Sequence, residues 1–226
     1  MVKLTHSHVI LAGGRSRRLG KVPKCDLVFE DRTLLAHAMV AGRDACHQVV
    51  VGPPDLAVGG DAGVRSLVRE DPPFGGPVAG IAAGLAELDR IGCDAEWLLI
   101  TACDHPRAAE AVVELFASLC SDPPSGSESE RSCSDPQDGS DRNDVDLITP
   151  TDSTGHRQTL FALYRRAALA AALAACDGGR DVSVRRLVSG LRTRSVTLPD
   201  DLLDDVDDPA TAARLGIAVP SPRLDQ

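Results

Sequence analysis

Along this chain short aliphatic runs alternate with segments whose apolar residues recur at spacings of three and four. The runs HVILAG (8–13), HQVVVG (47–52), VRSLV (64–68), EWLLITAC (96–103) and DVDLITP (144–150) are rich in β-branched or aliphatic side chains and read as strands. Between them, TLLAHAMVAGRDA (33–45), PVAGIAAGLAELDRI (77–91) and AAEAVVELFASL (108–119) carry the helical period. This βαβα alternation predicts an α/β fold with a mostly parallel sheet, helices on both faces, and ligands at the carboxyl ends of the strands. Further on, RAALAAALAAC (166–176) and SVRRLVSGL (183–191) read as helical and TRSVTL (193–198) as a strand. Pro209 falls where a last helix would start.

One stretch breaks the pattern. Residues 121–144, SDPPSGSESERSCSDPQDGSDRND, contain no aliphatic or aromatic side chain and cannot bury enough surface to offset their ordering entropy. They predict a disordered surface insertion inside a single domain spanning 1–226, because the strand pattern resumes at Val145. The chain has 226 residues, 43% of them hydrophobic, enough to bury one substantial core. Its net charge of −9 excludes a broad positive field for nucleic acid, so any anion must be met locally. The first residues lack the layout of a signal peptide and no apolar run is long enough for a bilayer, which predicts a soluble, cytoplasmic protein with no membrane partner.

Seven scattered cysteines, with no C-x-x-C pair, are expected to be reduced thiols, most of them buried as small apolar residues. Cys25 and Cys103 could serve as nucleophiles only with a general base that neither has beside it in sequence. The six histidines show no metal spacing, and His6 and His8 are expected at the surface.

The informative segment is VILAGGRSRRLGKVPK (9–24). Five of the 24 Lys and Arg residues (Arg15, Arg17, Arg18, Lys21 and Lys24) crowd into ten positions beside Gly13-Gly14. A strand that turns through two glycines into a basic stretch can present backbone N–H groups to a phosphate chain. The spacing excludes two familiar phosphate loops. Five residues separate Gly14 from Gly20 where a Walker A loop has four, Lys21 is followed by Val22 instead of Ser or Thr, and G-x-G-x-x-G is absent. A solvated basic loop after a strand stays open as the plainer alternative.

Asp104 ends an apolar run and precedes His105-Pro106, which would put a hard oxygen ligand at a strand's carboxyl end. An N-cap for the following helix is the other reading of that residue. Asp205 and Asp207 alternate and would point the same way on an extended segment, and a solvated acidic turn capping the last helix is the plain reading of them. Gly76, Gly80 and Gly84 would give a helix one smooth face for close packing on the sheet or on a nucleobase.

At these residues the chain resembles a known family. VILAGGRSRRLGKVPK is similar to the nucleotidyltransferase signature L-A-G-G-x-S-x-R-M-G-x-D-K, with Leu19 for Met and Pro23 for Asp. REDPPFGGPVAGIAAGL (69–85), LLITACDHP (98–106), RQTLFALY (157–164) and DDVDDPATA (204–212) resemble, in order, four further motifs of the molybdenum cofactor guanylyltransferases, the MobA-like branch. The resemblance implies a Rossmann-like fold of the nucleotide-diphospho-sugar transferase type. It also implies Mg²⁺-dependent transfer of GMP from GTP to molybdenum-bound molybdopterin, with release of pyrophosphate.

The same resemblance implies roles for single residues. Gly13 and Gly14 would cradle phosphates, Leu11 and Ala12 line the base, Ser16 contact substrate and Asp71 fix the nucleoside. Arg18 and Lys24 would offset charge in the transition state, and Asp104 with Asp207 would hold Mg²⁺. It leaves room for proteins that deliver molybdopterin or receive the product. The alternatives are a cytidylyltransferase acting on the same cofactor, whose loop usually reads L-A-A-G, and a non-catalytic nucleotide-binding regulatory protein on the same fold.

Overall fold

Val9 and Ile10 point to opposite faces of one strand, and that alternation organises the molecule. The computed structural model describes residues 5–14, 19, 22–56, 58, 65–120, 145–176 and 182–219. Its elements begin with β1 (His6–Leu11), the short β2 (Val28–Phe29) and β3 (Arg32–Thr33), α1 (Leu34–Ala41), β4 (Gln48–Val51) and β5 (Arg65–Val68). They continue with α2 (Pro77–Arg90), β6 (Trp97–Ala102), α3 (Ala108–Cys120), β7 (Leu147–Thr151) and β8 (Ala162–Arg165). Last come α4 (Arg166–Ala174), α5 (Val184–Val188), β9 (Thr193–Thr197), α6 (Asp200–Leu203) and α7 (Pro209–Arg214). The expected insertion at 121–144 lies outside the described residues.

Seven strands form one sheet in the order β5-β4-β1-β6-β8-β7-β9, and β2 pairs with β3 apart from it. β1 runs parallel to β4 and β6, β4 to β5 and β7 to β9, while β8 is antiparallel to both its neighbours. The mostly parallel sheet of the sequence reading is therefore present. It has one strand, β8, that the reading did not contain.

Helices cover both faces. On one, α2, α4 and α5 bury Val78, Ile81, Leu85, Leu169, Leu173 and Leu187 against Val9, Val51, Leu98, Ile100 and Tyr164. On the other, α3 packs Ala111, Val112 and Leu115 against Trp97, Leu99 and Leu163, and α1 packs Leu35, Ala38 and Met39 against Ile10 and Val50. Strands buried on both faces need no polar alternation, which is why their sequences read as continuous aliphatic runs.

Close approach of α2 to β1 depends on two of the three spaced glycines. A Cβ on Gly84 would fall 2.7 Å from Val9 and one on Gly80 would fall 3.1 Å from Leu11, so this smooth face packs on the sheet. Gly76 is instead the N-cap of α2, with φ of +90°.

Two expectations need correction. His6 and His8 are buried in β1 rather than exposed. The His8 ring fits because residue 42 is glycine: a Cβ there would fall 2.0 Å from His8 Nδ1. Burial, and then neighbouring His6, push the His8 pKa down to about 3, and its Nε2 lies 2.8 Å from Thr101 Oγ1. Most cysteines were expected to be buried, but among the five whose burial is described only Cys25 and Cys103 are, while Cys93 and Cys176 are half-buried and Cys46 is exposed; Cys133 lies outside the described residues.

Candidate active site

The carboxyl ends of β1, β4 and β6 are held level by backbone bonds that continue past the strands. Ala12 N–H donates to Val51 C=O (2.8 Å), Gly52 N–H to Val68 C=O (2.9 Å) and Cys103 N–H to Leu11 C=O (3.1 Å). β1 is the point from which the chain fills the sheet in both directions, and a crevice opens outside the strand ends there. The cleft has a volume of about 830 Å³ and is lined by Leu11, Gly13 and Gly14 from β1, Ala102, Cys103 and Asp104 from β6, and Gly76, Pro77 and Gly80 from the start of α2. That helix N-terminus favours negative charge.

Lys24 stands at the floor. It opens a 3₁₀ turn (Lys24–Asp26) whose N-cap, Pro23, holds φ at −60°. Its ammonium donates to Asp104 Oδ2 at 2.8 Å and to Asp207 Oδ1. Asp104 is fixed by the end of β6. Asp207 is brought in by a separate small core in which Val206, Ala212 and Ile217 pack on Leu19, Leu27 and Leu34, the residues flanking Lys24. Val206 N–H also donates to the Asp104 C=O (3.0 Å), tying the acidic segment to β6. Asp208 caps α7 by accepting from Ala210 and Thr211 N–H at 2.8 and 2.9 Å, with Pro209 at the first helical position as the sequence predicts.

Burial works against charge on both partners of the central pair, and the pair overrides it. Burial alone would raise the Asp104 pKa, but His105 and Lys24 beside it hold it below the usual carboxylate range. Burial would likewise lower that of Lys24, yet Asp104 and Asp207 raise it. At Asp205 the balance goes the other way: burial, then the charges of Asp207 and Asp104, push its carboxyl up, and His105 and Lys24 offset this only in part. Among the described residues, Asp104 and Asp207 thus face a single ammonium, that of Lys24.

That donor set suits Mg²⁺. Two carboxylates within reach of one ammonium nitrogen can share one small ion, and Mg²⁺ characteristically takes one or two carboxylates plus water and phosphate oxygens. Among the described residues no group of three metal-binding side chains gathers, so a cage made by protein alone is not on offer there. Asp104 and Asp207 are the residues that would hold the ion.

The structure brings Leu11, Gly13, Gly14, Lys24, Asp104 and Asp207 into one cleft. Ala12 lines a smaller adjoining cavity of about 190 Å³ shared with Gly13, Gly14 and Lys24. Asp71 is exposed, and its neighbour Glu70 is the carboxylate that lines both spaces. Ser16 and Arg18, with Arg15, Arg17 and Lys21, lie outside the described residues.

Sequence reasoning missed Phe74, which is 56% exposed at φ of +65° with the Arg69 guanidinium 5.7 Å from its ring centre. Glu70 accepts from its N–H at 2.9 Å and so holds this aromatic wall at the mouth. An aromatic beside P-P-F-G-G was the only signal in the sequence. Cys25 and Cys103 also line the smaller cavity, but burial pushes Cys25 up to about 11 and Cys103 well above its ordinary value, so neither is an activated nucleophile.

A doubly wound sheet with a glycine turn and a lysine–carboxylate cluster at its switch point defines an α/β nucleotidyltransferase fold. Solved structures share the fold: a protein of Mycobacterium sp. strain JC1, homologous to Rv0371c of Mycobacterium tuberculosis, superposes with a TM-score of 0.61 at 22% identity, over 93% of this chain and 94% of that one. Molybdopterin-guanine dinucleotide biosynthesis protein A of Archaeoglobus fulgidus does so with 0.59 at 16%, over 92% and 96%. The chain belongs to the MobA-like NTP transferase domain family, whose model matches residues 8–195. A curated relative, the molybdenum cofactor guanylyltransferase of Ralstonia nicotianae, is 36% identical over 99 residues, 43% of this chain and 46% of that protein. The chain spans about half the length of the curated relatives it matches.

Proposed function

We propose that this protein transfers GMP from GTP to the terminal phosphate of molybdenum-bound molybdopterin, releasing pyrophosphate. The observation that carries the reading is the Lys24 ammonium held between Asp104 and Asp207 on the floor of a glycine-edged cleft. An acceptor phosphate oxygen attacks the α-phosphorus of the nucleotide, the bond from that phosphorus to the bridging oxygen breaks, and pyrophosphate leaves. Little covalent work falls to the protein, so positioning and charge stabilisation supply the rate.

Gly13 and Gly14 leave the backbone open to the triphosphate, since a Cβ on either would meet nothing within 4 Å and only the side-chain-free backbone borders the cleft there. Lys24 offsets charge on the α-phosphate and the leaving group, with Arg18 as its partner and Ser16 as a further substrate contact. When bound between Asp104 and Asp207, Mg²⁺ would neutralise phosphate charge. Leu11 and Ala12 line the base, and Glu70 joins Asp71 beside the nucleoside. GTP is preferred as donor because curated relatives are named guanylyltransferases and because Gly13-Gly14 and GGPVAGI fit that branch. Among the described residues no helix is long and apolar enough to cross a membrane.

The test is thermal shift with Mg²⁺ and each of GTP, CTP, ATP and UTP, followed by transfer of α-labelled nucleotide to molybdenum-molybdopterin. A ligand that binds only the folded state raises its apparent stability. Selective stabilisation by GTP, lost in Asp104→Ala, and label transfer with pyrophosphate release are expected. Stabilisation by CTP alone would move the assignment to cytidylyl transfer, and no shift with any of the four would favour a non-catalytic protein.

A further inference from the structure

Cys46 and Cys93 are far apart in sequence and meet at the end of the sheet opposite the cleft. Cys46 lies between α1 and β4, and its N–H donates to His6 C=O at 2.9 Å. Cys93 follows α2, and its N–H donates to Leu88 C=O at 2.9 Å, within the turn that ends the helix. Backbone bonds therefore hold both residues where they stand, and their sulfur atoms are 3.1 Å apart. A disulfide needs about 2.05 Å, so closing this gap takes a shift of roughly 1 Å and no movement of a whole element. Cys46 is exposed and Cys93 half-buried, which lets a small oxidant reach the pair.

We infer that Cys46 and Cys93 are a dithiol site that hydrogen peroxide converts to a reversible disulfide, stapling the end of α2 to the entry of β4. Cys46, the more exposed, attacks peroxide as thiolate: its sulfur takes one oxygen, the O–O bond breaks and the other oxygen leaves as water after protonation. Cys93 then attacks the sulfenic sulfur, the S–S bond forms, and the second oxygen leaves as water. Two thiols lose two electrons and two protons, and one peroxide becomes two waters.

Partial burial first, and then the hydrogen bond with Cys93, push the Cys46 thiol up to about 11. Cys46 therefore keeps its proton at neutral pH. That is the character of a structural dithiol rather than of a fast sensor cysteine. Of the other described thiols, Cys25 and Cys103 are buried and Cys176 is half-buried, and the close sulfur pair is Cys46 with Cys93.

The experiment treats the full chain with hydrogen peroxide at pH 9, to supply thiolate, then blocks remaining thiols and maps the peptides without reduction. A joined pair of peptides carrying Cys46 and Cys93, a mass about 2 Da lower and restoration by dithiothreitol are expected. The bond closes a loop of about fifty residues, so Tm of the oxidised chain should rise by about 5 °C or more. Neither the joined peptide nor the rise should occur in Cys46→Ser or Cys93→Ser. Sulfinic acid on Cys46 without the joined peptide, both thiols still open to alkylation, or the same rise in Tm in either serine variant would overturn the inference. None of these readouts needs nucleotide or activity.

Discussion

Asp104 and Asp207 hold the same lysine, but two different parts of the molecule put them there. Asp104 leaves the end of β6, a strand buried on both faces, and its side chain is 17% exposed. Asp207 rides on a satellite core of a few residues around Val206 and is 48% exposed. Stability of the fold lives in the first region, and completeness of the site depends on the second. A catalytic centre of this kind can lose function through a small, local loosening that barely touches the main core.

Substitutions can break or sharpen that contrast. Asp104→Asn should lower nucleotidyl transfer most, by about 10³-fold, with Tm within a few degrees of the parent; activity within tenfold of the parent would remove Asp104 from the centre. Lys24→Ala should cost about 10²-fold or more in turnover and leave circular dichroism unchanged. Val206→Ala tests the satellite core: transfer should fall about tenfold while Tm drops by less than about 5 °C. Leu99→Ala, in the main sheet, should do the reverse, lowering Tm by about 10 °C with turnover per folded molecule nearly unchanged. If both variants behaved alike, the two regions would not be separable.

Smaller effects are expected at the rim. Phe74→Ala should raise the nucleotide KM about fivefold and leave kcat near the parent value, since the half-exposed ring lines the cleft and carries no charge or proton for the transfer step. Asp205→Asn should raise Tm by about a degree at pH 7. The Asp205 carboxyl is raised in the fold, so its favourable contribution is present in acid and lost as pH rises through the folded value. The advantage of the asparagine should therefore vanish below about pH 4, and a gain that persisted there would mean another cause.

Most strands and helices were legible because each couples an apolar run to a fixed period. β8 was not: FALY (161–164) is a four-residue apolar run whose side chains are buried on both faces, and nothing in so short a run separates a strand from a turn. Gly13, Gly14 and Asp104 were legible because polar or glycine residues directly follow aliphatic runs, and Lys24 because it closes the basic cluster beside the two glycines. Glu70 and Phe74 were not, because their placement rests on a left-handed backbone at residue 74 and on Arg69 turning over the ring. His8 depends on a missing Cβ at position 42, and Cys46 on a distant partner; neither is written in local pattern.

The antiparallel β8 also sets an order of assembly during synthesis. β5, β4, β1 and β6 can pair as soon as residue 102 has emerged, but the outer edge of β6 takes its partner from Ala162–Arg165. Through the intervening sixty or so residues of synthesis the nascent sheet carries a free hydrophobic edge, a template for pairing with another chain. β7, though made before β8, joins the sheet through it, so β8 is the seam that closes the edge and seats the outer pair β7 and β9.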